Sequence, residues 1–131
     1  MIEFHLDTRS GVPTYLQLVQ QVKQALRLGI LRPGDQLPTV KAVVGTLAIN
    51  PNTVLKAYRE LDLSGLVEGR RGQGTFVSTN LPPLPPDDVK ALRTSLLRWI
   101  ERARAAGLDE ENMAALFADT VRPPATSRRV A

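Results

Sequence analysis

The sequence predicts a mainly α fold with a small β-hairpin wing, and three observations carry that reading. Between Val40 and Leu63 a short apolar-periodic stretch, a two-residue break and a longer stretch with its own start signal make two helices at helix-turn-helix spacing. Directly after them, two β-prone runs, Leu66-Val67-Glu68 and Thr75-Phe76-Val77, flank Gly69-Arg70-Arg71-Gly72-Gln73-Gly74. Beyond a proline cluster, the last third returns to the 3.6-residue period. Together these describe a winged helix-turn-helix plus a C-terminal helical hairpin.

In residues 1–12, Ile2, Phe4 and Leu6 alternate with Glu3, His5 and Asp7, which predicts an extended arm packed on one face. His5, the single histidine, falls on the arm's polar side, where an imidazole is far more often bystander than ligand or base. Pro13 suits the first position of a helix running to about Leu28, with Tyr15, Leu18, Val19, Val22, Leu26 and Leu28 inward. Gly29 ends it. Arg32-Pro33-Gly34-Asp35 then reverses the chain, and Leu37 anchors the return. Thr39 caps a second helix from Val40 to about Leu47, whose inward face is Val40, Val43, Val44 and Leu47; Ala48-Ile49 form the turn.

Asn50 is the expected N-cap of the third helix and Pro51 its first residue, where no amide partner is needed. Val54, Ala57, Tyr58 and Leu61 follow at i, i+3, i+4, i+7, and Gly65 closes the helix. The opposite face holds Asn52, Thr53, Lys56 and Arg59. It has no carboxylate in its first two turns, which suits a helix directed N-terminus first at phosphates and base edges. In the hairpin, glycines let the backbone approach a partner closely, and Arg70 and Arg71 at the tip can enter a narrow minor groove or clamp phosphates. Alone, such a tip reads as a solvated basic turn; beside this helix it reads as a second contact.

From Ser78 to Pro86 the prolines deny helix and sheet alike, which predicts a semi-rigid linker; a docking motif would need the same residues. Asp87 or Asp88 can cap the next helix, with Val89, Leu92, Leu96, Trp99, Ile100 and Ala103 as its stripe and Gly107 as its stop. Leu108-Asp109-Glu110-Glu111 restarts a helix with Met113, Leu116 and Phe117 inward, ending near Thr120. The rest is expected to be disordered, with Arg128 and Arg129 adding weak attraction to nucleic acid. The expected organisation is residues 1–78 as winged domain with arm, 79–86 as linker, 87–120 as dimerisation hairpin and 121–131 as tail.

The run Pro33-Gly34-Asp35-Gln36-Leu37-Pro38-Thr39-Val40-Lys41, then Ile49-Asn50-Pro51-Asn52-Thr53-Val54, Gly65-Leu66-Val67 and Arg71-Gly72-Gln73-Gly74-Thr75-Phe76-Val77, resembles the winged helix-turn-helix of GntR-family bacterial repressors. The Asn-Pro-Asn-Thr-Val opening and short C-terminal remainder are most similar to the YtrA-type subgroup. The resemblance implies a homodimeric, operator-binding transcriptional regulator, repressing its own operon, often one encoding a transporter. Two departures matter. Lys41 stands where the family usually has a DNA-contacting arginine, keeping the charge but losing the bidentate fork. Pro51 stands where many members carry an arginine, so specificity shifts to Asn50, Asn52, Thr53 and Lys56. The expected DNA-contacting set is Thr39, Lys41, Asn50, Asn52, Thr53, Lys56, Arg70, Arg71, Gly72, Gln73 and Gly74.

Composition sets the outer limits. At 131 residues there is room for one ordinary domain, or a small one with an appendage. The net charge of +4 favours a polyanionic partner. The tail does not account for it, because residues 1–80 hold nine Lys/Arg against six Asp/Glu. With no cysteine and one histidine, disulfides, thiolate metal sites and imidazole clusters are excluded, and no cofactor or metal is expected. No leader or membrane-spanning run is present, so a cytoplasmic protein with no membrane partner is expected. The inventory supplies no catalytic residues, and Gly72-Gln73-Gly74 joins strands instead of opening a helix, which argues against an enzyme. The remaining rival is a winged helix used only for protein binding or assembly.

The two C-terminal helices, about 35 residues together, are too few for a self-sufficient core. Pairing with a second copy through Leu92, Leu96, Trp99, Ile100, Met113, Leu116 and Phe117 would supply one, and two reading heads would match a palindromic site. The alternative packs these residues on their own winged domain. No small-molecule effector is identified; a hairpin this small offers a cavity only between subunits or against the linker.

Overall fold

A computed structural model describes residues 2–81 and 86–122. In order, the elements are α1 (Thr14–Arg27), α2 (Val40–Leu47), α3 (Pro51–Leu63), β1 (Val67–Arg70), β2 (Gly74–Val77), α4 (Pro86–Ala105) and α5 (Glu110–Val121). The chain divides into two compact units, Met1–Val89 and Lys90–Ala131. Residues 82–85 of the expected linker, any cap from the Asp87 side chain, and the expected tail from residue 123 on, with Arg128 and Arg129, lie outside the described residues.

In the first unit the apolar stripes meet as expected. Leu18, Val19 and Val22 of α1, Val43 of α2, and Val54, Ala57, Tyr58 and Leu61 of α3 are buried together with Leu31, Leu37, Val67 and Val77. Pro13 occupies the cap place of α1 and not its first turn. Tyr15 and Leu26 are only half-buried against the core, whereas Ala25 is fully in it. Helices α1 and α3 both end in a Schellman arrangement on a glycine of positive φ. The amides of Gly29 and Ile30 reach the carbonyls of Leu26 and Ala25, and those of Gly65 and Leu66 reach Asp62 and Leu61.

The arm is extended, with Ile2 and Phe4 buried. Two glutamines one turn apart on α1 satisfy its backbone. Gln17 accepts from the Asp7 amide at 2.8 Å and donates to the carbonyls of Asp7 and Val12; Gln21 accepts from the His5 amide at 2.9 Å and donates back to its carbonyl. A primary amide offers both donor and acceptor, so each side chain substitutes for a neighbouring strand.

Thr39 caps α2 by accepting from the Ala42 amide at 3.1 Å, and Asn50 caps α3 by accepting from the Asn52 amide at 2.8 Å. Between them Ala48 takes φ 55°, a left-handed conformation that costs a residue with a Cβ roughly 1–2 kcal/mol. The Tyr58 hydroxyl donates to the Pro38 carbonyl at 2.6 Å, tying α3 to the entry of α2. Burial raises the Tyr58 pKa, which keeps the phenol protonated and donating.

The wing differs from expectation in extent. β1 and β2 pair antiparallel from Val67↔Val77 to Arg70↔Gly74, so the ladder takes in Gly69, Arg70 and Gly74, and the tip is only Arg71-Gly72-Gln73. A third segment joins on the other side of β2. Gln36 bridges Phe76, the Leu37 amide donates to Thr75 at 2.8 Å, and the Val77 amide donates to Asp35 at 2.7 Å.

In the second unit, Gly107 (φ 97°) closes α4, with the amides of Gly107 and Leu108 on the carbonyls of Arg104 and Ala103. Asp109 caps α5 by accepting from the Asn112 amide at 2.7 Å. Helix α4 starts at Pro86, so Asp87 and Asp88 fall inside its first turn and not before it. Met113 and Ala103 are buried, but Leu116 and Phe117 are exposed at 44% and 63%, contrary to their expected inward placement. So are Leu92 and Leu96, at 69% and 51%, while Trp99 and Ile100 are half-buried. A short pair of helices has too little apolar surface to cover every stripe residue within one copy. No described helix is long and apolar enough to cross a membrane.

Candidate nucleic-acid interface

The polar face of α3 is organised by its N-terminus. With Asn50 at the cap and Pro51 next, the first turn contains no acidic residue, and Asn52, Lys56 and Arg59 are exposed along the side opposite the buried stripe. The helix dipole favours an anion at this end. Thr53 is half-buried at the edge of the face. The Asn50 oxygen is engaged in the cap, which leaves its NH₂ group as the part available to a partner.

Lys56 is held in a way the sequence did not disclose. Its ammonium lies 4.1 Å from the centroid of the Tyr15 ring, at the start of α1. The ring's negative face attracts the cation, and the contact limits the rotamers of a long side chain on the polar face of α3.

The N-terminus of α2 and the wing come together. Thr39 and the stretch Gly69–Thr75 line one shallow cleft of about 530 Å³, with Lys41 exposed in the first turn of α2. The wall contains a hydroxyl, a guanidinium pair and glycine backbone, groups suited to phosphate oxygens. The two arginines are not equivalent. Arg70 lies in β1, not at the tip; it pairs with Glu68 at 3.2 Å and stacks 4.2 Å over the Phe76 ring. That pair is exposed and worth about 0–1 kcal/mol, so a phosphate can compete for the guanidinium. Arg71 stands in the turn, with no ion-pair partner among the described residues. Gly72 and Gly74 take φ of 75° and 124°, and the Gln73 amide closes the turn on the Arg70 carbonyl at 2.9 Å.

The structure thus gathers Thr39 with Arg70, Arg71, Gly72, Gln73 and Gly74 and sets Asn52 and Lys56 on one helical face. Tyr15, Gln36, Glu68 and Phe76 are the participants the sequence reading missed. Glu68 and Phe76 were in principle accessible, because a hairpin register pairs them and puts Arg70 on the same face two residues on. Leu92, Leu96, Trp99, Ile100, Met113, Leu116 and Phe117 belong to the other unit. The described residues contain no cluster of three His, Cys, Asp or Glu side chains that could hold a metal.

Comparison with known proteins agrees with this geometry. Residues 14–77 match the gntR family of bacterial regulatory proteins. The HTH-type transcriptional repressor YtrA of Bacillus subtilis (strain 168) is 38% identical over 109 residues, covering 82% of this chain and 84% of that one. Among solved structures, a transcriptional antiterminator from Listeria monocytogenes EGD-e aligns with a TM-score of 0.60 and 29% identity, covering 99% of this chain and 97% of that one. The DNA-binding domain of AraR in complex with operator ORR3 aligns with a TM-score of 0.50 and 25% identity, covering 59% and 93%.

Proposed function

The chain belongs to the gntR family of bacterial regulatory proteins, and from that premise we propose that it is a sequence-specific repressor that binds double-stranded DNA in the cytoplasm, as a homodimer on a palindromic operator. The observation that carries the proposal is the face of α3: a capped, acid-free N-terminus presenting Asn52 and Lys56, in one unit with a basic wing. Asn52, Thr53, Lys56 and the Asn50 NH₂ are assigned to base edges. Thr39, Lys41, Arg70, Arg71 and the backbone of Gly72, Gln73 and Gly74 are assigned to phosphates and the minor groove. The description of the Bacillus relative as a repressor supports the direction of control, and the AraR domain solved on an operator supports the mode of contact.

Residues 1–78 are then the reading head and residues 87–120 the pairing unit. Exposed Leu92, Leu96, Leu116 and Phe117, with half-buried Trp99 and Ile100 and buried Met113, supply the apolar seam. Control of its own operon, one encoding a transporter, completes the proposal. The rival, a protein-binding module, draws on Leu55 and Leu63, which are 44% and 84% exposed on α3. Selecting bound fragments from the source genome and footprinting the best one separates the two. Protection of two symmetric half-sites is expected; no enriched fragment would refute operator binding.

A further inference from the structure

The wing tip is braced from outside its own hairpin. The Gln36 side-chain amide donates to the Gln73 carbonyl at 3.0 Å, while the Gln36 backbone bridges Phe76 on β2. Its amide nitrogen occupies the space beside Gly74: a Cβ there would come within 2.7 Å of Gln36 Nε2. The close approach therefore depends on glycine at 74, which also takes a φ of 124° that side chains rarely adopt. Apart from this brace, the three-residue tip is closed by the Gln73 amide on the Arg70 carbonyl. Gln36 also stands three residues before Thr39, the cap of α2, so the same segment that begins the helix-turn-helix grips the wing.

We propose that Gln36 is a positioning residue for DNA binding: it fixes the Arg71-Gly72-Gln73 tip relative to the N-terminus of α2, so that Arg71 meets the duplex already ordered. This inference rests on the DNA-binding reading. Its physical basis is preorganisation, since a loop held in its bound shape loses less freedom on association. Gln36 need not touch DNA to act, and its effect runs through Arg71.

The test uses the full chain, labelled for NMR, with Gln36→Met, which keeps length and bulk but removes the donor. Binding is measured to the best duplex selected from the genome and to a scrambled one. Gln36→Met is expected to lower the backbone order parameters of Arg71–Gln73 from about 0.85 toward 0.6 without changing the thermal midpoint. Affinity should fall about three- to tenfold on both duplexes, the range one neutral hydrogen bond supplies. In an Arg71→Ala background the same change should add less than about twofold, because the group being positioned is gone. A purely structural role would give losses that multiply in the double variant. An unchanged tip, or full additional loss on top of Arg71→Ala, would overturn the proposal. A parent that binds neither duplex would sink the DNA-binding reading instead, and the order parameters would still decide whether Gln36 sets the tip.

Discussion

Lys56 on α3 and Tyr15 at the start of α1 form a cation–π pair, with the ammonium 4.1 Å from the ring centroid. The pair joins the polar face of α3 to the first helix of the same unit. At a half-exposed position such a contact is worth about 0.5–1 kcal/mol.

Tyr15→Leu should therefore weaken operator binding about two- to fivefold while leaving the salt slope intact, because no charge is lost. Tyr15→Phe keeps the ring face and should bind like the parent. Fluorescence anisotropy across a salt series measures both quantities. Equal affinity for Tyr15→Leu and the parent would remove the pair from the binding account.

Asn52 and Arg71 should fail differently. Asn52→Ala is expected to cost about 1–3 kcal/mol at one base pair and relax preference there. Arg71→Ala should weaken specific and scrambled duplexes alike and reduce the salt slope by about 1. A panel of single-base operator variants distinguishes these outcomes, and a position-specific loss for Arg71→Ala would reverse the assignments.

Two bonds hold α3 in place, and each has a stability signature. Asn50→Ala removes the cap from the Asn52 amide and should lower unfolding free energy by about 1 kcal/mol in urea. Tyr58→Phe leaves the Pro38 carbonyl without its hydroxyl donor, at a cost of about 1 kcal/mol. Tyr58 also predicts alkaline sensitivity. Burial raises its folded pKa above the ordinary 10.0, so the folded state keeps a proton that the unfolded state loses. Stability should be level below about pH 10 and decline above it, less steeply in Tyr58→Phe. Parallel pH profiles for the two proteins would contradict this.

Leu96→Asp tests the seam. Leu96 is 51% exposed in a single copy, so the substitution leaves the fold of one chain largely undisturbed. It is expected to give monomers in sedimentation and much weaker operator binding. A dimer of unchanged stability would place the seam elsewhere.

The starts of α2 and α3 were legible in the sequence because capping is local: Thr39 and Asn50 each accept a first-turn amide. The buried stripes were legible because period 3.6 follows from helix geometry. What stayed hidden depends on contacts distant in sequence. The Gln36 strand is a single bridge to Phe76, fixed only once the hairpin register exists. Arg70 looked like a tip residue until that register drew it into β1 beside Glu68. Ala48 carries no glycine signal for its left-handed turn. Periodicity marked Leu116 and Phe117 as an apolar face but could not say whether the same copy covers them.

On the proposed function, the acid-free face of α3 and the basic wing together select a particular duplex. Competition between the best genomic fragment and its scrambled counterpart, at about 150 mM salt, tests it most directly. A preference on the order of 10³ or more for the genomic fragment is expected, reduced by Asn52→Ala. Equal affinity for the two duplexes would contradict it.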